Sequence, residues 1–246
     1  MSSPFDDFAW FYDRHWAAPF AEWQQSAIER LLLPRVPPGG TILDICCGTG
    51  ALARDLASRG YAIIGVDRSH GMLRVARENV PEALFLEADA AQFRLKRTAD
   101  GAVSVFDSLN HIMDAGRLAQ AFACIHDALH PGACFVFDVN TSAAYGECWD
   151  DTFCEVQPDH AFFLRGKFDR DTRVGRTEVT MFRLAESWER SDVEIRQRPW
   201  DAEEIEPMLQ KAGFEDIRVF RAIQDLHMSG HYGIGRVYVC ARRGTQ

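Results

Sequence analysis

The sequence predicts an α/β fold in which helices cover both faces of a mostly parallel β-sheet. Apolar runs of strand length alternate with amphipathic helical patterns throughout residues 41–140. Helical connections between such strands are right-handed crossovers, which place successive strands parallel to one another in a single sheet. The chain has 246 residues, of which 47% are hydrophobic, so it is long enough for one such domain carrying an insertion.

Five strands are predicted within this region from their apolar and β-branched residues. They are expected at residues 41–45, 61–67, 83–89, 101–107 and 134–140. Between them, Gly60 is placed to end the first helix and Ser69 to cap the second, and a third helix is expected around residues 115–129. The segment before the first strand, residues 5–33, has helical spacing and stops at a loop rich in proline and glycine.

The pattern changes after about Cys148. Residues 153–199 alternate apolar and polar side chains without a helical stripe, which predicts about three antiparallel strands. Helical signals return at Asp201, where Glu204 completes a capping-box pattern. Pro207 is expected to kink that helix or to delay its start, because proline cannot donate a backbone hydrogen bond.

Two further short strands, at residues 216–220 and 236–240, are expected to close the α/β domain. The predicted division of the chain is an N-terminal helical cap (1–40), a ligand-binding α/β domain (41–147 and 201–246) and a small antiparallel β insertion (148–200).

Charge and cysteine usage narrow the functional classes. The net charge of −9 disfavours binding to nucleic acid or to an anionic membrane surface, since both need clustered basic residues. No apolar run reaches the roughly 18 residues of a membrane helix, and the N-terminus lacks the order of a signal peptide. The 7 cysteines show neither disulfide-scaffold nor zinc spacing, so we expect a cytoplasmic protein without a metal site. We expect the protein to be either a monomer or a homodimer.

Small and acidic residues are concentrated where the predicted parallel strands end. The run 43–50, Leu-Asp-Ile-Cys-Cys-Gly-Thr-Gly, ends the first strand and opens a helix. Asp67, Asp89 and Asp107 stand at the ends of the next three strands. Ligands bind outside the carboxyl ends of strands in open α/β sheets, and a carboxylate there can accept both ribose hydroxyls. The sequence therefore predicts a nucleoside-containing ligand at this edge.

These residues resemble the class I S-adenosylmethionine-dependent methyltransferases. Residues 44–50 match the glycine-rich motif of that family, with Cys46 in place of its first glycine, and the likeness extends over residues 41–140 and loosely over 201–240. The resemblance implies a Rossmann-like, seven-stranded sheet, mostly parallel with its last strand antiparallel. It also implies S-adenosyl-L-methionine as the cofactor.

The resemblance further assigns cofactor contacts. Asp44 would meet the amino group of the cofactor, Gly48 and Gly50 would pass beside its methionine part, and Cys46 belongs to the same loop. The remaining contacts would be Asp67 to the ribose, Arg68 or Met72 against the adenine, Asp89 and Ala90 at the adenine amine, and Phe106 and Ser108 beside the sulfur. Tyr12 would cover the carboxylate, although a buried helix aromatic is an equal alternative for that residue.

Members of this family that carry such an insertion act mainly on small molecules, including amines and aminosugars, so the methyl group is expected to move to nitrogen or oxygen of a small-molecule acceptor. The insertion (148–200) would cover the acceptor site. His111 is the candidate general base, because imidazole titrates near neutral pH, with a structural role as the alternative. Asn110, Asn140, Tyr145 and Trp200 are the candidate acceptor-binding residues.

Two other functions are compatible with parts of the pattern. Residues 48–53 fit the G-x-G-x-x-A pattern of NAD(P)-dependent oxidoreductases, but Asp44 and Asp89 are atypical of such enzymes. A non-catalytic S-adenosylmethionine-binding protein on the same fold is the second alternative, since a fold does not fix function. Cofactor binding discriminates the first alternative, and turnover discriminates the second.

Overall fold

The apolar runs of the sequence pair into a central sheet in the computed structural model, which describes residues 3–245. The strands are β1 (Thr41–Ile45), β2 (Ala62–Asp67), β3 (Leu84–Glu87), β4 (Ala99–Ser104), β5 (Leu129–Asn140), β6 (Thr152–Val156), β7 (His160–Asp169), β8 (Val174–Leu184), β9 (Trp188–Gln197), β10 (Phe214–Arg221) and β11 (Arg236–Arg243). The helices are α1 (Pro4–Tyr12), α2 (Ala18–Leu31), α3 (Ala51–Ser58), α4 (His70–Asn79), α5 (Ala115–Ala128), α6 (Ser142–Cys148) and α7 (Ala202–Lys211).

The central sheet has seven strands in the order β3-β2-β1-β4-β5-β11-β10. The pairs from β3 to β5 are parallel, whereas β11 is antiparallel to both of its neighbours. The predicted sheet, mostly parallel with its last strand antiparallel, is therefore confirmed. The two strands that follow β1, β2 and β3, lie on one side of it, and the strand that follows β4 lies on the opposite side of the sheet. A crevice therefore opens between the carboxyl ends of β1 and β4.

Apolar side chains fill both faces of this sheet. On one face, Phe122 of α5 and Leu209 of α7 pack against the fully buried Phe135 and Phe137 of β5. On the other face, helices α2 and α3 cover β1, β4 and β11. Side chains buried on both faces explain why the strands of this sheet read as continuous apolar runs.

Helix α7 runs through Pro207 and begins where its capping signals are. Asp201 and Glu204 form the predicted capping box, and Ile205 and Leu209 are buried. These contacts offset the one helical hydrogen bond that proline removes. The expected later start of the helix is therefore wrong.

The insertion is a sheet of four antiparallel strands, β6-β7-β8-β9, rather than the expected three. Strand β6 carries mostly exposed side chains, so its sequence lacks the alternation that revealed the others. Helix α6 was not expected either. The inner face of the sheet packs Phe162, Val179 and Met181 against Phe8 and Phe11 of α1.

The N-terminal segment is helical from Pro4 to Leu31, with a π-helical turn at Asp13–Ala17 between α1 and α2. Helix α1 crosses the start of α4 at Gly71, where a Cβ atom would lie 2.4 Å from the carbonyl oxygen of Asp6. The Asp6 carboxylate accepts hydrogen bonds from the Ser69 hydroxyl (2.7 Å) and from the Gly71 backbone nitrogen (3.0 Å). These contacts hold α1 beside the carboxyl end of β2.

Within residues 3–245, no helix combines the length and the apolar composition needed to cross a bilayer.

A pair of imidazoles joins the N-terminal segment to the insertion. The Nε2 atoms of His15 and His160 lie 2.8 Å apart, and their Nδ1 atoms face the carboxylates of Glu155 (3.4 Å) and Asp159 (2.7 Å). Carboxylates only accept, so each Nδ1 atom carries the proton of its ring, and the Nε2 atom of a neutral ring is an acceptor at the contact between the rings. Burial lowers the pKa of His15, an effect that Glu155 opposes and that the charges of His160 and Arg14 reinforce, so the neutral form of the His15 ring is favoured.

Acidification should loosen this contact. A lowered pKa means that the stabilisation by neutral His15 is present above the ordinary histidine pKa of about 6.5 and is lost as the pH falls below it. Between about pH 7.5 and pH 5.5, amide hydrogen exchange in residues 4–17, corrected for its intrinsic pH dependence, should accelerate. His15→Gln should remove this pH response, whereas His70→Gln, at an exposed histidine paired with Glu87, should keep it. An unchanged response in His15→Gln would contradict the assignment.

Candidate functional site

The crevice at the carboxyl ends of the parallel strands opens into a cleft that extends under the insertion. Most residues that the sequence predicted as cofactor contacts line it together: Tyr12, Cys46, Gly48, Asp67, Arg68, Met72, Asp89, Ala90, Phe106 and Ser108. Asp44 lies in an adjoining recess that shares Tyr12 and Cys46 with the cleft. Gly50 lines neither space. It begins α3 with a φ of 79° and leaves room for Ala76 of α4, 3.3 Å from where a Cβ would stand.

The loop after β1 follows a path that L-residues rarely adopt. Cys46, Gly48 and Gly50 all have positive φ angles, of 58°, 55° and 79°. Cys46 therefore takes the left-handed conformation for which the resembling family uses glycine, at a cost on the order of 1–3 kcal/mol. Its side chain lines the cleft.

Asp67 at the end of β2 fastens this loop to the next helix. Its carboxylate accepts hydrogen bonds from the backbone nitrogens of Gly48 (3.0 Å) and Ser69 (2.8 Å). Burial raises the pKa of Asp67, and these two hydrogen bonds counteract the rise because they favour the ionised form. One acid thus shapes two walls of the cleft.

Asp89, after β3, is half-buried at the other end of the cleft. Its carboxylate accepts from the Ala91 backbone nitrogen (2.9 Å) and from the Arg117 guanidinium (2.7 Å). Ala90 beside it is buried, so the backbone and a small side chain form this wall.

Buried polar atoms without partners gather in the recess beside β1. Oδ2 of Asp44, Oγ1 of Thr49 and Oε1 of Gln24 are buried and have no hydrogen-bond partner among the described residues. Gln24 belongs to α2 and is 2% exposed; no local signal singled it out in the sequence. Burial, with a smaller contribution from Asp67, raises the pKa of Asp44 to about 8. Unpaired buried polar atoms are costly, so the recess has the chemistry of a site that a polar ligand with a cationic amine completes.

The loop after β4 is strained and rests on a buried ion cluster. Phe106 and Asp107 have φ angles of 64° and 45°. Arg236 of β11, whose side chain is 3% exposed, donates to Asp107 (2.7 Å) and to Asp138 of β5. Burial raises the pKa of Asp138 to about 6, although the guanidinium of Arg236 lowers it. Burial lowers the pKa of Arg236, but the two carboxylates raise it by more, so it lies above its ordinary value.

Gln197, at the end of β9, connects this cluster to the cleft. Its side-chain nitrogen donates to Asp107 (2.6 Å) and to Nε2 of His111 (2.9 Å), and its oxygen accepts from the Tyr145 hydroxyl (3.4 Å). Gln197 lines the cleft although it is only 4% exposed. Sequence reasoning missed it, since nothing near position 197 marks a functional site.

His111 lines the cleft, as expected, but both of its nitrogens are engaged. Nδ1 lies 3.1 Å from the carbonyl oxygen of Arg196, so it carries the proton, and Nε2 accepts from Gln197. Burial lowers the pKa of His111, with Asp107 opposing this, so the ring is neutral near pH 7. In this arrangement the lone pair of Nε2 already accepts the hydrogen bond from Gln197.

The four residues expected to bind the acceptor do not line the cleft. Trp200 is fully buried and donates to the carbonyl oxygen of Ile112 (3.2 Å), and Asn110 is fully buried and bonds the backbone of Asn140 and Arg198. Tyr145 lies behind Gln197. The amide of Asn110 and the indole of Trp200 instead satisfy backbone groups where the insertion joins the sheet, and the acceptor contacts expected of these residues stay predictions.

Aromatic and aliphatic side chains form the rest of the cleft. The N-terminal segment supplies Phe5, Phe8 and Trp16, and the inner face of the insertion supplies Leu164, Thr177 and Ile195. Among the side chains that the structure describes, which do not include that of Cys148, no three of His, Cys, Asp or Glu are grouped so that they could hold a metal ion. The arrangement can bind a polar ligand at β1 and an apolar one beside it.

Comparison with known proteins agrees with this geometry. Residues 42–132 match the family model of a methyltransferase domain. YqeM of Bacillus subtilis, a candidate methyltransferase, is 28% identical over 232 residues, which cover 92% of each chain. The dTDP-3-amino-3,4,6-trideoxy-alpha-D-glucopyranose N,N-dimethyltransferase of Streptomyces venezuelae is 30% identical over 115 residues, or 47% of this chain and 48% of that protein.

The whole fold is also shared with a solved structure. An S-adenosylmethionine-dependent methyltransferase from Clostridium acetobutylicum superposes with a TM-score of 0.79 and 21% identity, covering 98% of this chain and 100% of that one. The oxidoreductase alternative finds no support in these matches. The chain belongs to the class I methyltransferases and is an enzyme that uses S-adenosyl-L-methionine.

Proposed function

We propose that this enzyme methylates a small-molecule acceptor, and that the acceptor atom is a nitrogen. The proposal rests on the continuity between the two halves of the site. The polar recess at β1 joins the apolar part of the cleft under the insertion, which we call the chamber, at the strained loop after β4. The relative from Streptomyces venezuelae is named as an N,N-dimethyltransferase, which supports nitrogen.

The polar half fits the cofactor. Asp44, Thr49 and Gln24 present the unpaired oxygens that an amino acid end would satisfy, and Asp67 stands where ribose hydroxyls would be accepted. Tyr12 and Phe106 both line this recess, and their ring centroids are 5.7 Å apart. S-adenosylmethionine supplies a methyl carbon that its sulfonium already activates.

What the protein adds is alignment and exclusion of water. We assign the cover to two regions: the N-terminal cap, residues 1–40, and the insertion, residues 148–200. Phe5, Phe8 and Trp16 of the first face Leu164 and Ile195 of the second across the chamber. A chamber bordered by both segments fits a small molecule.

The hydrogen bonding of the site favours an amine as nucleophile. Asp67 and Asp89 accept backbone or arginine hydrogen bonds, Asp107 is held by Arg236 and Gln197, and the lone pair of His111 accepts from Gln197. Apolar walls favour the neutral form of an amine, which then brings its own lone pair. A hydroxyl would need a base to remove its proton.

Methylation of oxygen is the second candidate, and one observation favours it. His111 is neutral and lines the cleft, so exchange of its Nε2 contact from Gln197 to an acceptor hydroxyl would make it a general base.

Cofactor binding should release a proton from Asp44. The raised pKa of about 8 keeps this carboxyl largely protonated near pH 7, and a cationic amine beside it would favour ionisation. Calorimetric titration with S-adenosylhomocysteine at pH 7, in buffers of different ionisation enthalpy, should therefore show release of up to about one proton. Asp44→Asn should remove that release and weaken binding, whereas Asp55→Asn, in an ion pair of α3 with Arg59, should change neither. Equal proton release in Asp44→Asn and wild type would contradict the assignment.

Replacement of His111 separates the two candidate reactions. On a mass-spectrometric panel of small amines and of phenols with matching rings, wild type should yield N-methyl products. His111→Ala should keep that activity within about tenfold, whereas loss of a general base costs roughly 10²–10⁴. His130→Ala, at an exposed histidine, is the control. Only O-methyl products, abolished by His111→Ala, would replace the first proposal by the second.

A further inference from the structure

We infer that the acceptor is an uncharged, largely apolar amine and not a nucleotide-linked sugar. The inference rests on the proposed function and specifies its substrate class. The name of the Streptomyces venezuelae relative describes a nucleotide-linked amino sugar, whereas the chamber of this protein lacks the groups that a diphosphate requires.

Charge is distributed against an anionic acceptor. Among the residues that line the cleft, Arg68 is the only arginine or lysine; Asp67 and Asp89 belong to the cofactor half, and Asp107 lies beside the acceptor half. A nucleoside diphosphate carries at least two negative charges, and proteins meet such groups with several arginine, lysine or backbone donors. One exposed arginine does not provide that.

The nearest helix N-terminus is already filled by a protein carboxylate. Helix α4 begins beside the cleft, and its first amide groups would otherwise suit a phosphate. Asp6 of α1 occupies that position, since its carboxylate accepts from Gly71 N and from the Ser69 hydroxyl. A second anion there would meet a like charge.

Three basic side chains of the insertion lie on the face of its sheet that is opposite to the chamber. Successive residues of a strand face opposite sides of the sheet, so Lys167, Arg176 and Arg196, which pair with one another across β7, β8 and β9, share one face. All three are exposed. Thr177 and Ile195, the neighbours of two of them, line the chamber on the opposite face.

The chamber matches a compact ring with one polar group. Phe5, Phe8 and Trp16 give it aromatic walls, and Ile195 with Leu164 gives it an aliphatic floor. Its polar end is the pair His111–Gln197, next to the loop after β4. An acceptor would thus bury its apolar part between the N-terminal segment and the insertion, and turn its amine toward that loop.

The test uses 1-naphthylamine, an uncharged aromatic amine with one fused ring system, whose fluorescence shifts to shorter wavelength in apolar surroundings. We expect the full-length protein, saturated with S-adenosylhomocysteine, to bind the probe, and thymidine diphosphate neither to bind nor to displace it. Leu164→Asp and Thr177→Asp should weaken probe binding at least about tenfold, because a carboxylate would be desolvated in the chamber. Leu184→Asp, at an exposed leucine of the same sheet, should not.

Wild type that does not bind the probe would overturn the inference, and so would thymidine diphosphate that binds and displaces it. Binding of S-adenosylhomocysteine, measured on each variant by calorimetry, shows whether the fold and the cofactor half survive. Thr177→Asp keeps the test decisive if Leu164→Asp does not fold, since Thr177 is a half-buried polar residue. N-methylation of a nucleotide-linked aminosugar alone would contradict this inference and leave the proposed function standing.

Discussion

The pairing of Arg236 with Asp107 and Asp138 is the interaction on which the site depends. All three side chains are buried, and each ion alone would cost several kcal/mol to remove from water, so the charges are tolerated only together. Loss of one partner from such a group typically costs about 3–5 kcal/mol. The cluster joins the ends of β4, β5 and β11, and it holds Asp107 in a left-handed conformation that residues other than glycine adopt infrequently.

This cluster connects the three parts of the molecule, which are the N-terminal segment, the central sheet and the insertion. Asp107 accepts from Gln197, which brings the insertion against the sheet and orients His111. Phe106, one residue earlier, stacks on Phe20 of α2 with ring centroids 3.6 Å apart, which brings the N-terminal segment over the same loop. The cofactor recess and the acceptor chamber are thus two spaces around one loop, and neither is complete until the cap, the sheet and the insertion have come together.

The sequence predicted what depends on local patterns. Buried strands gave continuous apolar runs, the loop of residues 44–50 stood out by its small residues, and the caps at Ser69 and Asp201 marked helix starts. It could not predict contacts between distant residues: Gln197 reaches Asp107 across 90 positions, and Arg236 across 129. The exposed strand β6 carried no pattern to detect. Nor could the sequence predict that Asn110 and Trp200 bond buried backbone groups, since polar groups near a site look alike whether they serve a ligand or a buried backbone.

The most direct test of the account is calorimetric titration with S-adenosylhomocysteine of wild type and of Asp67→Ala, with NADP as the control ligand. The account predicts that wild type binds S-adenosylhomocysteine and not NADP. Asp67→Ala should weaken that binding at least about tenfold, roughly one lost charge-assisted hydrogen bond, whereas Asp225→Ala, in an exposed ion pair with Arg221, should leave it unchanged. Equal affinity in Asp67→Ala and wild type would contradict the placement of the cofactor in this cleft, and binding of NADP instead would contradict the whole account.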